Sequence, residues 1–261
     1  MIDRIQLIEI EDQAWCPKPI RDGATDYLQF ILSTAKPYLP IVELLDAALE
    51  RAGTNQVIDL CSGAGGPWPT LQPALEAARN RPLEVCLTDL YPNDSARKQI
   101  ESQSPGTIRY EITPINALHV PAHLRGFRTL FNGFHHFPPD QAAQILGDAV
   151  DQQQGIGIFE LTMRNLPAVL SMIIVPLLIL LVTPAIRPIR LSRLLFTYLL
   201  PAIPLIGLFD GVVSCLRTYS PDEMRELVKH FKNYDWEIGQ IPVRGLSAPI
   251  TYTIGTPNSN H

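Results

Sequence analysis

The sequence predicts an α/β fold built on a doubly wound, mostly parallel sheet of seven strands. Strand-like and helix-like periodicities alternate along the chain, which is typical of parallel strands with helices on both faces. The first strand ends in an acid and a glycine-rich turn, "DLCSGAGG" at 59–66. A chain of 261 residues, of which 46% are hydrophobic, can also bury a large core. We therefore expect one domain over 1–261, with 1–53 as an N-terminal helical cap.

The predicted elements follow in chain order. Gly53 closes the second helix as a C-terminal cap, and Pro67 and Pro69 mark the start of the third. Ser220, with Glu223 three residues later, is the signature of a further helix start. Besides the helix that starts after Ser220, helices are predicted at 24–35, 37–52, 68–80, 93–103 and 139–153. The strands are predicted at 56–60, 83–88, 107–112, 128–134, 155–161, 235–242 and 249–255.

Charge and cysteine content narrow the function classes. A net charge of -5 and a pI near 5.7 argue against a broadly basic surface, so we expect no nucleic-acid partner. The four cysteines are far apart and form no CxxC pair, which favours reduced thiols over a disulfide framework. The first residues, "MIDRIQLIEIEDQAW", carry acids where a secretion signal has bases. We expect a cytoplasmic protein.

The glycine-rich turn predicts a nucleoside ligand. Its small residues let the backbone approach a ligand closely, with free amides to bind it. Asp89 ends the second strand, thirty residues after Asp59, and a carboxylate there can accept from two ribose hydroxyls. The competing interpretation is a tight turn with a solvated acid. A dinucleotide fingerprint would need glycine at position 68, where Trp68 stands, and this decides against NAD.

On these residues the sequence resembles the class I S-adenosylmethionine-dependent methyltransferases. Their first motif is an acid followed by spaced glycines, which Asp59, Gly63 and Gly65 match, while Cys61 stands where the first glycine is usual. The resemblance implies S-adenosylmethionine as cofactor, its ribose at Asp89 and its adenine at the "PINALHVP" segment. It covers most of the chain except the apolar region. The implied cofactor-binding residues are Asp59, Cys61, Ser62, Gly63, Gly65, Asp89, Leu90, Asn116, Ala117 and Asn132.

Methyl transfer needs donor and acceptor in line, water excluded and, for some acceptors, a base that removes a proton. Polar residues placed for this task follow the fourth and fifth strands and the apolar region, and a histidine suits the role of base. The candidates are His135, His136, Glu160, Arg164 and Asp210. Structural alternatives remain: a packed histidine pair, a Glu160–Arg164 ion pair and a helix-capping Asp210. We expect no metal, because neighbours in an extended chain point to opposite faces.

The apolar region is the most unusual part of the sequence. Residues 166–186 and 194–209 carry no charge, and three arginines lie between them. The first run is long enough to cross a bilayer, but prolines interrupt both runs, and a spanning hairpin would put its arginines outside. We expect a helical insertion over 166–209, beside the carboxyl-terminal edge of the sheet. It would be a lid over the acceptor, a contact with the inner leaflet through arginines at the headgroups, or a dimer contact; the alternative is a helical pair buried in the core.

Three function classes remain open. The first is a methyltransferase acting on a small, apolar or lipid-like acceptor. The second is a non-catalytic nucleoside-binding module, and the third is a membrane-associated scaffold that keeps the methyltransferase fold. The intact Asp59, Gly63, Gly65 and Asp89 favour the first. We therefore expect a cytoplasmic enzyme, located at the inner membrane surface if the apolar region contacts lipid.

Overall fold

A single seven-stranded sheet organises the protein. The computed structural model describes residues 2–92, 94–104, 106–246 and 248–258 of the chain. The strands are β1 Gln56–Leu60, β2 Glu84–Leu87, β3 Ile108–Tyr110, β4 Phe127–Phe131, β5 Ile156–Glu160, β6 Tyr234–Ile241 and β7 Ile250–Pro257. Their order is β3-β2-β1-β4-β5-β7-β6; β1 to β5 are parallel and β7 runs antiparallel to both its neighbours. The predicted doubly wound, mostly parallel sheet is confirmed.

Ten α-helices connect and cover the strands in the described part of the chain. They are α1 Lys18–Ala35, α2 Val42–Arg51, α3 Trp68–Arg79, α4 Asp94–Gln103, α5 Pro139–Asp151, α6 Leu166–Ser171, α7 Val175–Val182, α8 Leu191–Leu194, α9 Ala202–Arg217 and α10 Pro221–Val228. Helix α10 begins at the predicted capping box, in which Ser220 and Glu223 exchange side-chain-to-backbone hydrogen bonds.

The core has two layers, one on each face of the sheet. Alternate residues of β1 enter different layers, because side chains of a strand point to opposite faces in turn. Val57 packs with residues of α2 and α3, whereas Ile58 packs with residues of α5 and α10. The strand order reverses between β1 and β4, and ligands of such sheets bind where the strands end at this switch point.

Two helix boundaries near the N-terminus differ from the prediction, and prolines explain both. Helix α1 starts at Lys18, six residues earlier than predicted, with Pro17 at its N-cap position. The predicted helix 37–52 is divided, since Lys36 adopts a left-handed conformation with φ 48° and a 3-10 turn at Leu39–Ile41 precedes α2. Proline lacks the amide donor that a continuous helix would need there.

The apolar region forms short, broken helices that pack on α1. Gly23 of α1 allows this approach, since a Cβ there would lie 2.4 Å from Ile203 Cδ1 of α9. An 18-residue window within Leu166–Ala185 has a mean hydropathy of 2.7, and only 17% of it is buried. The segments Leu191–Leu199 and Ala202–Arg217 meet at an angle of 76°. Within the described residues, one helical run, or two if the bent pair is counted, has the length and composition to cross a membrane.

Candidate active site

The glycine-rich turn after β1 is a strained loop with open space beside it. Cys61, Gly63 and Gly66 all have φ between 52° and 57°, a conformation that glycine adopts at little cost. A Cβ at Gly66 would meet nothing within 4 Å, and one at Gly63 only Thr25 Cγ2 at 4.0 Å. Gly65 differs, because a Cβ there would lie 2.7 Å from Ile100 Cδ1. A side chain at Gly65 would therefore disturb the packing, whereas Gly63 and Gly66 leave room for a ligand.

Asp59 supports this loop from inside the protein. One carboxylate oxygen accepts from Thr129 Oγ1 at 2.7 Å and the other from Ser62 Oγ at 2.6 Å. The side chain is 1% exposed, and burial raises its pKa to about 6. Both oxygens of Asp59 are thus bonded within the protein, and the contact of Asp59 and Ser62 with the cofactor stays a prediction. They hold the loop in shape.

Asp89, the predicted ribose-binding acid, lies against the glycine-rich loop. Its carboxylate accepts from the Gly63 amide at 2.8 Å and from the Tyr91 amide at 2.8 Å. Burial raises the pKa of Asp89, and these backbone N–H groups oppose the rise. The adjacent Leu90 side chain is exposed. Each oxygen retains a lone pair with which it can accept from a ligand hydroxyl.

The segment predicted to bind adenine is joined directly to Asp89. The Ile115 amide donates to the Asp89 carbonyl at 2.9 Å, which brings Asn116 and Ala117 next to the loop. The Asn116 side chain is exposed, and its oxygen accepts from the Leu118 amide at 3.0 Å. Ala117 is buried. The structure therefore brings the predicted cofactor residues of three loops to the same edge of the sheet.

The turn after β4 carries both histidines. Asn132 has φ 48°, and its side-chain oxygen accepts from the Leu161 amide at 2.8 Å, so it ties the end of β4 to the end of β5. Gly133 lies against the glycine-rich loop, because a Cβ there would be 3.4 Å from Cys61 Cβ. Phe134–His136 then form a 3-10 turn. Asn132 thus acts as a structural link, and the histidines follow beside the loop.

His135 and Glu160 form a buried pair. His135 Nδ1 lies 2.5 Å from Glu160 Oε2, and the other oxygen of Glu160 accepts from the Phe134 amide at 2.8 Å. Both residues are nearly inaccessible, at 3% and 5% exposure. Burial tends to raise the pKa of Glu160, but the His135 ring and the Phe134 amide outweigh it, and the pKa is lowered. His135 Nε2 is buried and has no hydrogen-bond partner among the described residues.

The N-terminal segment covers this pair and supplies a residue that the sequence did not reveal. Glu9 is 1% exposed, and its carboxylate lies 3.6 Å from His135 Nε2. Ser214 Oγ donates to Glu9 at 2.9 Å, and a guanidinium nitrogen of Arg217 lies 3.3 Å away. Glu9 is far from His135 in sequence, in a stretch without periodicity. Only its position among other acids, in "IEIED", sets it apart in the sequence.

His136 has a different environment from its neighbour. Its Nδ1 lies 2.8 Å from Asp12 Oδ2 and 3.4 Å from Glu9 Oε2. Burial lowers the pKa of His136, but the hydrogen bond to Asp12 and the charges of Glu9 and Asp12 outweigh this effect and raise it to about 9. His136 therefore carries a proton near neutral pH. Such a pKa disfavours His136 as a base, and the catalytic role of the two histidines stays a prediction.

Arg164 and Asp210 have partners other than those considered from the sequence. Arg164 is buried and pairs with Glu223 of the capping box, so the suggested Glu160–Arg164 ion pair is wrong. Asp210 lies inside α9 and accepts from the Ile10 amide at 2.7 Å and the Glu11 amide at 3.1 Å. It does not cap a helix, and its carboxylate holds the N-terminal segment that carries Glu9 and Asp12. Both residues support the elements around the site.

The two histidines do not point to opposite faces, as the prediction against a metal assumed. Because Phe134–His136 is a 3-10 turn, the two rings lie on the same side, with centroids 4.5 Å apart. Ligand atoms of Glu9, His135 and His136 lie within 4.8 Å of one another. Arg217, however, lies 3.3 Å from Glu9 and 3.5 Å from Asp12, so a cation already faces these carboxylates. We therefore assign no metal to the cluster.

Comparison with solved structures identifies the fold. The O-methyltransferase NcsB1 from neocarzinostatin biosynthesis, in complex with S-adenosylmethionine and 2-hydroxy-5-methyl naphthoic acid, matches with a TM-score of 0.52 and 15% identity. Human N-acetylserotonin methyltransferase in complex with S-adenosylmethionine matches at 0.51 and 12%, and PigF with S-adenosylhomocysteine at 0.51 and 16%. These matches cover 92%, 91% and 90% of this chain. The protein has the class I methyltransferase fold.

The similarity is one of fold and not of close sequence. No protein-family model and no curated protein matches the chain. The chain spans 58%, 57% and 58% of the lengths of the three solved structures. Activity, acceptor and partners therefore have to be argued from the residues of this chain.

Proposed function

We propose that the protein is an S-adenosylmethionine-dependent methyltransferase that takes a proton from a small, apolar acceptor and methylates it. The observation that carries the proposal is the buried His135–Glu160 pair beside the glycine-rich loop. The ring's Nδ1 is held by Glu160, while its Nε2 is buried without a hydrogen-bond partner among the described residues. A histidine held in this way is prepared to accept a proton at Nε2.

The residues around the glycine-rich loop are suited to S-adenosylmethionine. A Cβ at Gly66 would meet open space, and Asp89 can accept from ribose hydroxyls on the same side of the loop. Further support comes from the neighbours in fold, since NcsB1 and human N-acetylserotonin methyltransferase bind S-adenosylmethionine in their structures. When bound, this cofactor supplies a methyl carbon activated by a positively charged sulfur.

The roles of the chain's own residues follow from their contacts. His135 Nε2 accepts the proton of the acceptor, and Glu160 holds the opposite nitrogen and stabilises the positive ring that results. Arg217 fixes the turn by donating from Nε to the His135 carbonyl at 3.1 Å. Glu9 borders the same nitrogen, with its carboxylate 3.6 Å from Nε2. Burial of the pair excludes water and strengthens the interactions of both groups.

An apolar acceptor is favoured by the surroundings of the site. The insertion joins it through α9, most of whose residues are apolar, and a polar acceptor would lose water without replacement hydrogen bonds. NcsB1 binds naphthoic acids, which are small and largely apolar. We also propose a cytoplasmic location, which is supported by the free thiols of Cys16, Cys61, Cys86 and Cys215, since free thiols suit a reducing compartment. An acceptor of lipid-like character would place it at the inner membrane surface.

Two measurements, made one after the other, test this proposal. Calorimetric titration should show binding of S-adenosylmethionine and S-adenosylhomocysteine, weakened in Asp89→Ala. Incubation with cofactor labelled in its methyl group and an extract of the host cell, separated into polar and lipid fractions, should then give a labelled product. His135→Gln should retain cofactor binding and lose the product. Binding without transfer to any fraction would favour a non-catalytic nucleoside-binding module, and absence of binding would refute the cofactor.

A further inference from the structure

The insertion concentrates the exposed apolar surface of the molecule. Of the 24 large apolar side chains exposed in the described part of the chain, 14 lie within residues 166–209. These 44 residues are about a sixth of the chain, so the concentration is several times that elsewhere. Monomeric soluble proteins rarely concentrate exposed apolar side chains in one segment unless something covers them.

Part of this surface is an ordered stripe. Leu170, Ile173, Ile174, Leu177 and Leu181 are 52–66% exposed. They recur at intervals of three and four residues through α6, a 3-10 turn and α7, so they lie along one side of this helical run. The inward side packs on α9, where Ile179 Cδ1 would be 2.6 Å from a Cβ at Gly207. The run thus has one packed face and one uncovered face.

The charges of the region favour a lipid surface as the occupant. No acidic residue occurs between Glu160 and Asp210. Arg190 and Arg193 turn inward to Asp26 of α1, so they are not free to reach headgroups as the sequence suggested. Arg187 is exposed at the bend. An apolar face with one exposed cation and no acid suits a bilayer, whereas an interface with a second protein copy normally has a polar, charged rim.

The helices of the insertion pack on α1, and this packing favours helices that lie on the membrane over helices that cross it. Arg193 is 2% exposed and bonded to Asp26, and Ile179, Ile186 and Ile203 share an apolar cluster with Tyr27 of α1. A helix that crossed the bilayer would have to leave these contacts. The helices are also short and bent, which suits burial to a depth of about 5–10 Å in one leaflet.

We infer that the face formed by α6, α7 and the turn at Arg187 docks into one leaflet of a lipid bilayer. The inference does not depend on methyl transfer, because it rests only on the uncovered apolar face and its charges. If the proposed function also holds, docking supplies the active site with acceptors dissolved in the membrane.

Flotation of the full-length protein with vesicles tests the inference. The protein should float with phosphatidylcholine vesicles, and more so when phosphatidylglycerol is added, since Arg187 then meets anionic headgroups. Leu177→Glu/Leu181→Glu should lower the bound fraction by about tenfold or more. Ile112→Glu, which changes an equally exposed residue after β3, is the matched control and should float like the wild type. Circular dichroism checks that each variant is folded.

Tryptophan fluorescence gives an independent readout. Trp15 is 66% exposed, and its neighbour Cys16 packs in the same cluster as Ile179 and Ile186, while Trp68 is fully buried. Vesicles should shift the emission of the wild type to shorter wavelength, and Trp15→Phe should remove that shift. Wild-type protein that stays unbound with both vesicle types, or a double variant that floats as well as the wild type, would overturn the inference. A stable dimer in buffer that the double variant dissociates would instead assign the face to a second copy.

Discussion

Replacement of Glu160 by glutamine tests the catalytic pair most directly. Glu160 accepts from the Phe134 amide through one oxygen and contacts His135 Nδ1 through the other. Because the Phe134 amide can only donate, the single oxygen of the introduced glutamine must face it, and the NH₂ group then faces Nδ1. Nδ1 must become an acceptor, so the proton of a neutral His135 moves to Nε2. A base whose accepting nitrogen is already protonated cannot remove the acceptor's proton.

The expected magnitude follows from the same contacts. Turnover should fall about a hundredfold or more, while cofactor binding stays close to wild type. The loss of one charge-assisted hydrogen bond in a buried site should lower the free energy of unfolding by about 1–3 kcal/mol. Turnover is measured with labelled cofactor, stability by urea denaturation, and the tautomer by ¹⁵N NMR of the histidine rings. Glu237→Gln, at an exposed surface pair with Arg51, is the control. A folded Glu160→Gln variant with unchanged turnover would refute the role of the pair.

Three further predictions concern the loop and the second histidine. Asp89→Ala should weaken cofactor binding by about 1.5–3 kcal/mol in calorimetry, through lost charge-assisted bonds to ribose, and unchanged affinity would argue against that contact. Gly63→Val should abolish binding, because it places a branched side chain at φ 52° in the space beside the loop; circular dichroism checks that the variant folds. His136→Gln should destabilise the protein in a pH-dependent way. Because the folded pKa of about 9 lies above the ordinary 6.5, the stabilisation should be complete below about pH 6.5 and lost as pH rises through 9, as measured by urea denaturation from about pH 6 to 10. A difference from wild type that does not change with pH would show that His136 is not charged in the folded state.

The sheet was predictable because its information is local. Strands β1, β4 and β5 are short, buried runs bounded by turn residues, and such runs stand out from the helices between them. The helix starts were less predictable. Pro17 and the left-handed Lys36 set the limits of α1, although the apolar periodicity alone gives a later start.

The candidate site likewise has one part that the local sequence predicts and one part that it does not. The glycines and Asp89 follow directly after β1 and β2, so the local sequence was sufficient to predict that they lie close together. Glu9 and Asp12 reach the histidines only because the N-terminal segment folds back over the sheet. Nothing in a single sequence records that path. The 3-10 turn that places the two histidine rings on one side was likewise not visible in a pattern interpreted as extended.

Helix α9 connects the apolar region to the histidine turn directly and to the glycine-rich loop through α1, and these two connections decide which variants are informative. Near its start, Ile203 packs against Gly23 of α1, and α1 reaches the glycine-rich loop through a hydrogen bond from Gln29 to the Gly66 carbonyl at 3.1 Å. At its end, Arg217 holds the carbonyls of the histidine turn. Deletion of residues 166–209 would remove the exposed helices and also the residues that pack on α1. Loss of activity in such a protein would report on folding as much as on acceptor choice. The exposed leucines of α7 can be changed without disturbing either contact of α9, so they separate the role of the surface from that of the scaffold.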